Sequence, residues 1–150
     1  MKIFDLLKIL DGEWVGAGVG EYPTITSFEY METLCFFPDE TGEGLQYDQK
    51  TRRRAIGGRD YVPSHRESGF LRLLPDNQVE ISNVQIGGRL ELLAGTIEAM
   101  PAGLVLRLQS THLANDPRME ATTRTITVDG ETLHYTMHMQ TDRVPHLSIH

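Results

Sequence analysis

A single cysteine, Cys35, stands in 150 residues, so the chain can hold no internal disulfide and carries no CxxC metal or redox motif. That usage makes a reducing, cytosolic compartment the default, and the expected place of Cys35 is the buried core. No apolar run approaches the roughly 18 residues that a membrane span needs. The opening MKIFDLLKIL is too short and too often interrupted by charge to be a secretory signal. Positive charge is scarce: 14 Lys and Arg face 21 Asp and Glu, a formal net charge of −7. That balance argues against nucleic acid and anionic membrane surfaces as partners. A serine or cysteine nucleophile elbow is missing, and Cys35 sits in a bulky apolar run without a nearby base. The basic cluster TRRRAIGGR (Thr51–Arg59) has no interleaved aromatics, which favours a solvated loop over an RNA platform.

Helical periodicity is nearly absent too. Only the first ten residues show it, with Ile3, Leu6, Leu7 and Leu10 spaced at three and four. From Gly12 onward the pattern is that of strands broken by short turns. Ser27–Phe37 is rich in aromatic and β-branched residues, and Pro38–Gly44 closes it. Gly69–Leu74 meets the turn PDNQ, Val79–Val84 the turn IGGR, and Leu90–Ile97 the turn MPAG. In Leu104–Ser110 the residues Leu104, Leu106 and Leu108 share one face, while Val105, Arg107 and Gln109 share the other. Thr122–Val128 and Thr132–Met139 flank VDGE, whose Asp-Gly pair is the strongest hairpin signal in the chain. Short, evenly spaced strands with no second helix predict one all-β domain over residues 1–150, an antiparallel barrel or sandwich.

The stretch GEWVGAGVGEYPTI (Gly12–Ile25) places glycine at 12, 16, 18 and 20. A phosphate-binding fingerprint needs a strand before it and a helix after it. Here the order is reversed, and Pro23 stands where such a helix would begin. Glycines two apart in a strand instead leave one face bare, which suits a barrel's closure or a flat ligand lying against it.

In this setting GEWVGAGVGEYPTI, followed by SFEYMETLCF, resembles the opening of the nitrobindins. SHRESGFLRLLPD (Ser64–Asp76) is similar to the family's second block, and VEISNVQIGGRLELLAGT (Val79–Thr96) to its third. LHYTMHMQT and a carboxy-terminal segment containing His-Leu then follow in family order. The likeness extends over nearly the whole chain. It implies an antiparallel up-and-down β-barrel of about ten strands, related in shape to fatty-acid-binding proteins, holding one haem b per chain near one mouth. A carboxy-terminal histidine would be the proximal iron ligand. The family ending, laid on VPHLSIH, points to His150, and a shorter alignment points to His146. In an extended segment His146, Ser148 and His150 share a face, so geometry leaves the choice open. The chain departs from the family by ending at His150.

Other roles carry over from the resemblance. Thr24 matches a threonine lying against the haem. Arg118 matches a basic residue at the haem edge, where a guanidinium suits a propionate, although a solvated loop charge is an equal reading. His65 matches a polar group lining the pocket, or else partners Glu67 at the surface. Met139 and Gln85 map to the pocket lining, with plain core the alternative for the methionine. The implied chemistry is binding of nitric oxide and peroxynitrite at ferric haem, with isomerisation of peroxynitrite to nitrate by a monomer or homodimer.

Three readings compete. The alternation of His134, Thr136 and His138 against Leu133, Tyr135, Met137 and Met139 reads as an outer wet face and an inner apolar one. No carboxylate or thiol stands beside the two histidines, so zinc is a weak reading there. A haem-free carrier of a small apolar ligand would share the fold and use buried cations for a carboxylate, which singles out Arg107 and Arg124. An interaction module with a filled barrel would need no ligand at all.

Overall fold

The computed structural model describes residues 3–141 and 148–149. One helix, α1 (Ile3–Leu10), precedes nine long strands: β1 (Gly12–Tyr22), β2 (Ile25–Pro38), β3 (Leu45–Ala55), β4 (Val62–Leu74), β5 (Gln78–Gln85), β6 (Leu90–Met100), β7 (Gly103–Ala114), β8 (Met119–Asp129) and β9 (Thr132–Thr141). A two-residue β10 (Ser148–Ile149) pairs with β9. Each strand bonds antiparallel to the next in chain order, β1 through β10. The result is a nearly closed up-and-down barrel. Its first hairpin is tied to the last long strand by Tyr22 Oη donating to Thr141 Oγ1 at 3.2 Å and by the Tyr30 and Tyr135 hydroxyls, 3.1 Å apart.

Turn chemistry fixes the register. Asp76 and Asn77 both adopt positive φ, at 60° and 56°, the pairing a type I′ turn demands, and Gln78 N–H donates to the Pro75 carbonyl at 3.3 Å. With Pro75 they join Leu74 to Gln78, the last pair of the β4–β5 ladder. Between β8 and β9 the connection is Gly130-Glu131, where Gly130 alone has positive φ, at 60°.

Alternation then divides the interior into three bands. At one end, Leu45, Leu71, Leu104 and Leu106 pack with Leu6 and Leu10 of α1, all fully buried. The indole of Trp14 donates to the Leu10 carbonyl at 3.0 Å, tying the end of α1 to β1. A middle band is polar, with Gln49, Glu67, Asn83, Glu91 and Arg124 all buried. The far end opens as a cleft.

Three sequence expectations are corrected. Cys35 is not a core residue: Leu34 and Phe36 point inward, so Cys35 turns to the outer face, only partly covered and 3.9 Å from Glu13. Burial and the neighbouring Glu13 and Asp48 carboxylates push its thiol pKa up, so it is a poor nucleophile. TRRRAIGGR is not a loop throughout, because Thr51–Ala55 ends β3. There Arg54 binds Glu29 at 2.7 Å and stacks 4.5 Å from the Tyr61 ring centre. Val105, placed with Arg107 on the outer face, is nonetheless buried.

Candidate functional site

The cleft measures about 620 Å³ and lies at the end of the barrel away from α1, within the range typical of small-molecule sites. Phe28 and Tyr30 of β2 and Met137 and Met139 of β9 give it an apolar lining, and Ile86 adds to the rim. The two methionines face inward because β9 keeps its alternation to the end: Met137 and Met139 are buried and His134 is exposed.

The glycines of β1 make room for the aromatic wall. Gly18 pairs with Tyr30 and Gly20 with Phe28 across the β1–β2 ladder. A Cβ on Gly18 would sit 2.5 Å from Tyr30 Cζ and Oη, and one on Gly20 would enter the Phe28 ring. Neither glycine has positive φ; each is needed for the ring that lies over it. Gly18→Ala is therefore expected to displace the Tyr30 ring and break its bond to Tyr135. Because the ring end can move, the urea midpoint should report a loss of no more than about 1 kcal/mol, the scale of one hydrogen bond. Affinity for a ligand of the cleft should fall about tenfold, or about 1.4 kcal/mol, which a titration of the variant would read.

Two guanidinia border the same cleft. Arg89, in the β5–β6 turn, bonds Asp116 Oδ2 at 3.4 Å, while its buried Nε has no acceptor among the described residues. Arg118, in the β7–β8 turn, is 72% exposed and only 3.9 Å from Asp116. A buried donor without a partner is costly, so Arg89 is poised for an anionic group in the cleft. Sequence reasoning passed over Arg89; its one signal was a cation directly after the Gly-Gly turn.

His65 lines the cleft from β4 with a third of its side chain exposed. Its Nε2 lies 3.0 Å from Glu67 Oε1. Glu67 is not at the surface but fully buried, in a salt bridge with Arg124. Arg124 Nη1 and Nη2 donate to Glu67 at 2.7 and 3.2 Å, and Nη2 also donates to Glu91 at 2.6 Å. Tyr47 Oη donates to Glu67 as well, and Thr122 Oγ1 and Gln85 Nε2 donate to Glu91. Burial alone would raise the Glu67 pKa, but Arg124, His65 and Tyr47 together hold it well below the usual carboxylate range. A second polar group stands beside it, where Tyr135 Oη donates to Glu32 at 2.8 Å and Gln49 bonds the same carboxylate. Burial pushes the pKa of Glu32 up.

Of the residues singled out from the sequence, the fold brings His65, Gln85, Arg118 and Met139 to one cleft. Thr24 stands exposed in the β1–β2 turn, at the cleft's end of the barrel but outside its lining. His146 and His150 lie outside the described residues. Among the described residues no group of three or more His, Cys, Asp or Glu side chains is placed to hold a metal ion. Arg107 is on the outer face, 2.9 Å from Glu98. Arg124 is committed to two carboxylates, and the barrel interior beside it narrows to a void of about 30 Å³, so an interior carboxylate clamp with room for an acyl chain is not formed.

A flat, mostly apolar ligand carrying acidic groups suits this cleft: aromatic and thioether walls, an open mouth, and cations on one side. The profile of the THAP4-like, heme-binding beta-barrel domain matches residues 4–150. The chain belongs to that family. Members similar to it include peroxynitrite isomerase 2 of Mycobacterium ulcerans, 35% identical over 90% of this chain and 83% of that protein. Another is the peroxynitrite isomerase Rv2717c of Arabidopsis thaliana, 35% identical over 93% of this chain and 80% of that one. Among solved structures, Rv2717c from M. tuberculosis superposes with a TM-score of 0.86 at 31% identity, covering 100% of this chain and 93% of that one. For a heme-binding barrel the residues present fit the group. Phe28, Tyr30, Met137 and Met139 offer apolar contact, and Arg89 and Arg118 offer partners for its carboxylates.

Proposed function

We propose that the chain is a haem-dependent peroxynitrite isomerase that holds one haem b in the cleft, with His150 as proximal ligand and His146 as the alternative. The observation that carries this reading is the meeting, in one cleft of a heme-binding-family barrel, of apolar walls and an arginine whose buried Nε lacks an acceptor. The names of its relatives supply the reaction.

Haem, when bound, would supply a ferric iron able to take nitric oxide or peroxynitrite and to promote rearrangement of peroxynitrite to nitrate. That rearrangement needs no external electron donor, so the chain requires no reductase site for it. The protein's own part is binding and exposure. Met137, Met139, Phe28 and Tyr30 would shield the group from water, while Arg89 and Arg118 would neutralise its carboxylates. Thr24, at the same end of the barrel, steadies the ring edge. His65 is the polar side chain closest in kind to a distal group.

A hemin titration of the purified protein tests the reading. The expected result is a saturable one-to-one Soret spectrum and, with the ferric holoprotein, faster peroxynitrite decay with nitrate as product. Saturable haem with an unchanged decay rate would remove the isomerase assignment. No saturable haem would favour the apolar carrier instead.

A further inference from the structure

His65 and Glu67 are two residues apart on β4 and both turn inward, so one reaches the cleft while the other is sealed in the polar band. Glu67 accepts from Arg124 and Tyr47 through Oε2 and from Arg124 through Oε1. An ionised carboxylate only accepts hydrogen bonds. His65 Nε2, 3.0 Å from Oε1, must therefore carry the hydrogen. That leaves Nδ1, which has no partner among the described residues, as the free ring nitrogen of a side chain that lines the cleft. In a neutral imidazole that nitrogen is bare, an acceptor.

We propose that Glu67 is a positioning residue that locks His65 as its Nε2–H tautomer, so that His65 offers the cleft an acceptor and favours ligands that bring their own hydrogen. Peroxynitrous acid and water are of that kind. Dioxygen and the halides, which only accept, gain nothing from it. The inference rests on the haem reading for the ligand it acts on, but the tautomer belongs to the haem-free protein. The lock follows from the whole triad: Arg124 keeps Glu67 an acceptor, and Glu91 keeps Arg124 in place with a bond of 2.6 Å.

Replacing Glu67 by glutamine makes the device reverse itself. The amide oxygen is drawn to the Oε2 position, where Tyr47 Oη and Arg124 Nη1 converge, while Arg124 Nη2 gives up its longer 3.2 Å bond at Oε1 and keeps its 2.6 Å bond to Glu91. The amide nitrogen then faces His65 and donates to Nε2. The hydrogen of the ring moves to Nδ1, and the cleft presents a donor instead.

The first experiment is two-bond proton–nitrogen correlation NMR of the haem-free protein with ¹⁵N-labelled histidine. The expected result is Nε2–H at His65 in the wild type and Nδ1–H in Glu67→Gln; an Nδ1–H or averaged ring in the wild type would overturn the proposal. Fluoride, an acceptor-only ligand, then reads the consequence on the ferric haem-loaded protein. Glu67→Gln should bind it about tenfold more tightly, the worth of one hydrogen bond to a charged acceptor. His65→Leu should leave fluoride affinity within about twofold, since no donor is lost; a tenfold drop would show that His65 already donates and would sink the idea. If Glu67→Gln does not fold, the wild-type tautomer and His65→Leu still decide. If hemin does not bind, the proposed function falls and the NMR result stands.

Discussion

Arg124→Ala is expected to destabilise the protein by about 3–5 kcal/mol, the usual cost of removing one member of a buried ion pair. The guanidinium is 6% exposed and bonds two fully buried carboxylates. Without it, Glu67 and Glu91 are left facing each other's charge in the polar band. For a domain of this size the loss corresponds to a melting-point drop of roughly 6–20 °C. The pH dependence carries a sign that tests the cause. In the wild type the folded-state pKa of Glu67 is depressed, so its contribution is complete above the unfolded value near 4.3 and is lost as pH falls through the folded value. In the variant, burial without a cation raises the pKa of Glu67. The deficit is then greatest at neutral pH and shrinks as acid protonates the carboxylate. Urea midpoints at pH 7 and pH 5 should therefore differ less between the two proteins at the lower pH. A gap that stays the same on acidification would mean the lost term is packing, not charge.

His150→Ala carries the second large effect. Outer-shell partners of a metal ligand are worth roughly 10–100-fold in affinity, and loss of the proposed proximal ligand should exceed that. Hemin titration of the variant should show a Soret band displaced toward free hemin and an affinity more than about 100-fold weaker. His146→Ala should leave both unchanged. The reverse pattern would transfer the ligand to His146, and an effect in neither would place the iron elsewhere in the cleft. Circular dichroism of both variants should match the wild type, which separates loss of the ligand from loss of the fold.

How much of this was legible in the sequence depended on what each strand buries. Where the inner face is apolar, alternation was plain: Leu104, Leu106 and Leu108 of β7 and the methionines of β9 read correctly before any coordinates. Where the inner face enters the polar band, the signal vanished. β3 turns Leu45, Tyr47 and Gln49 inward, and its far half is TRRRA, so hydropathy alone made it a loop. Turns were legible because their chemistry is local, as Asp76-Asn77 and Gly130 show. The cleft was half legible. His65, Gln85, Arg118 and Met139 came from family likeness, and the fold gathers them. The Glu67–Arg124–Glu91 triad could not be read, because its members stand 57 and 33 residues apart and only register brings them together. Arg124 was noticed as a cation in a strand, without the two carboxylates that occupy it.

The seam of the barrel has a consequence for how the chain folds. Every ladder in the sheet joins neighbours in chain order, so successive hairpins can form as the polypeptide emerges from the ribosome. The bond between Tyr22 and Thr141 is different, since it spans 119 residues. Closing so long a loop comes late and slows the overall rate. Phe28 and Tyr30 sit on the first hairpin, while Met137 and Met139 sit on the last long strand, so the two walls of the cleft meet only at that closure. The chain can therefore acquire its ligand only after synthesis is all but finished, and a refolding experiment should show hemin capture following the slowest phase.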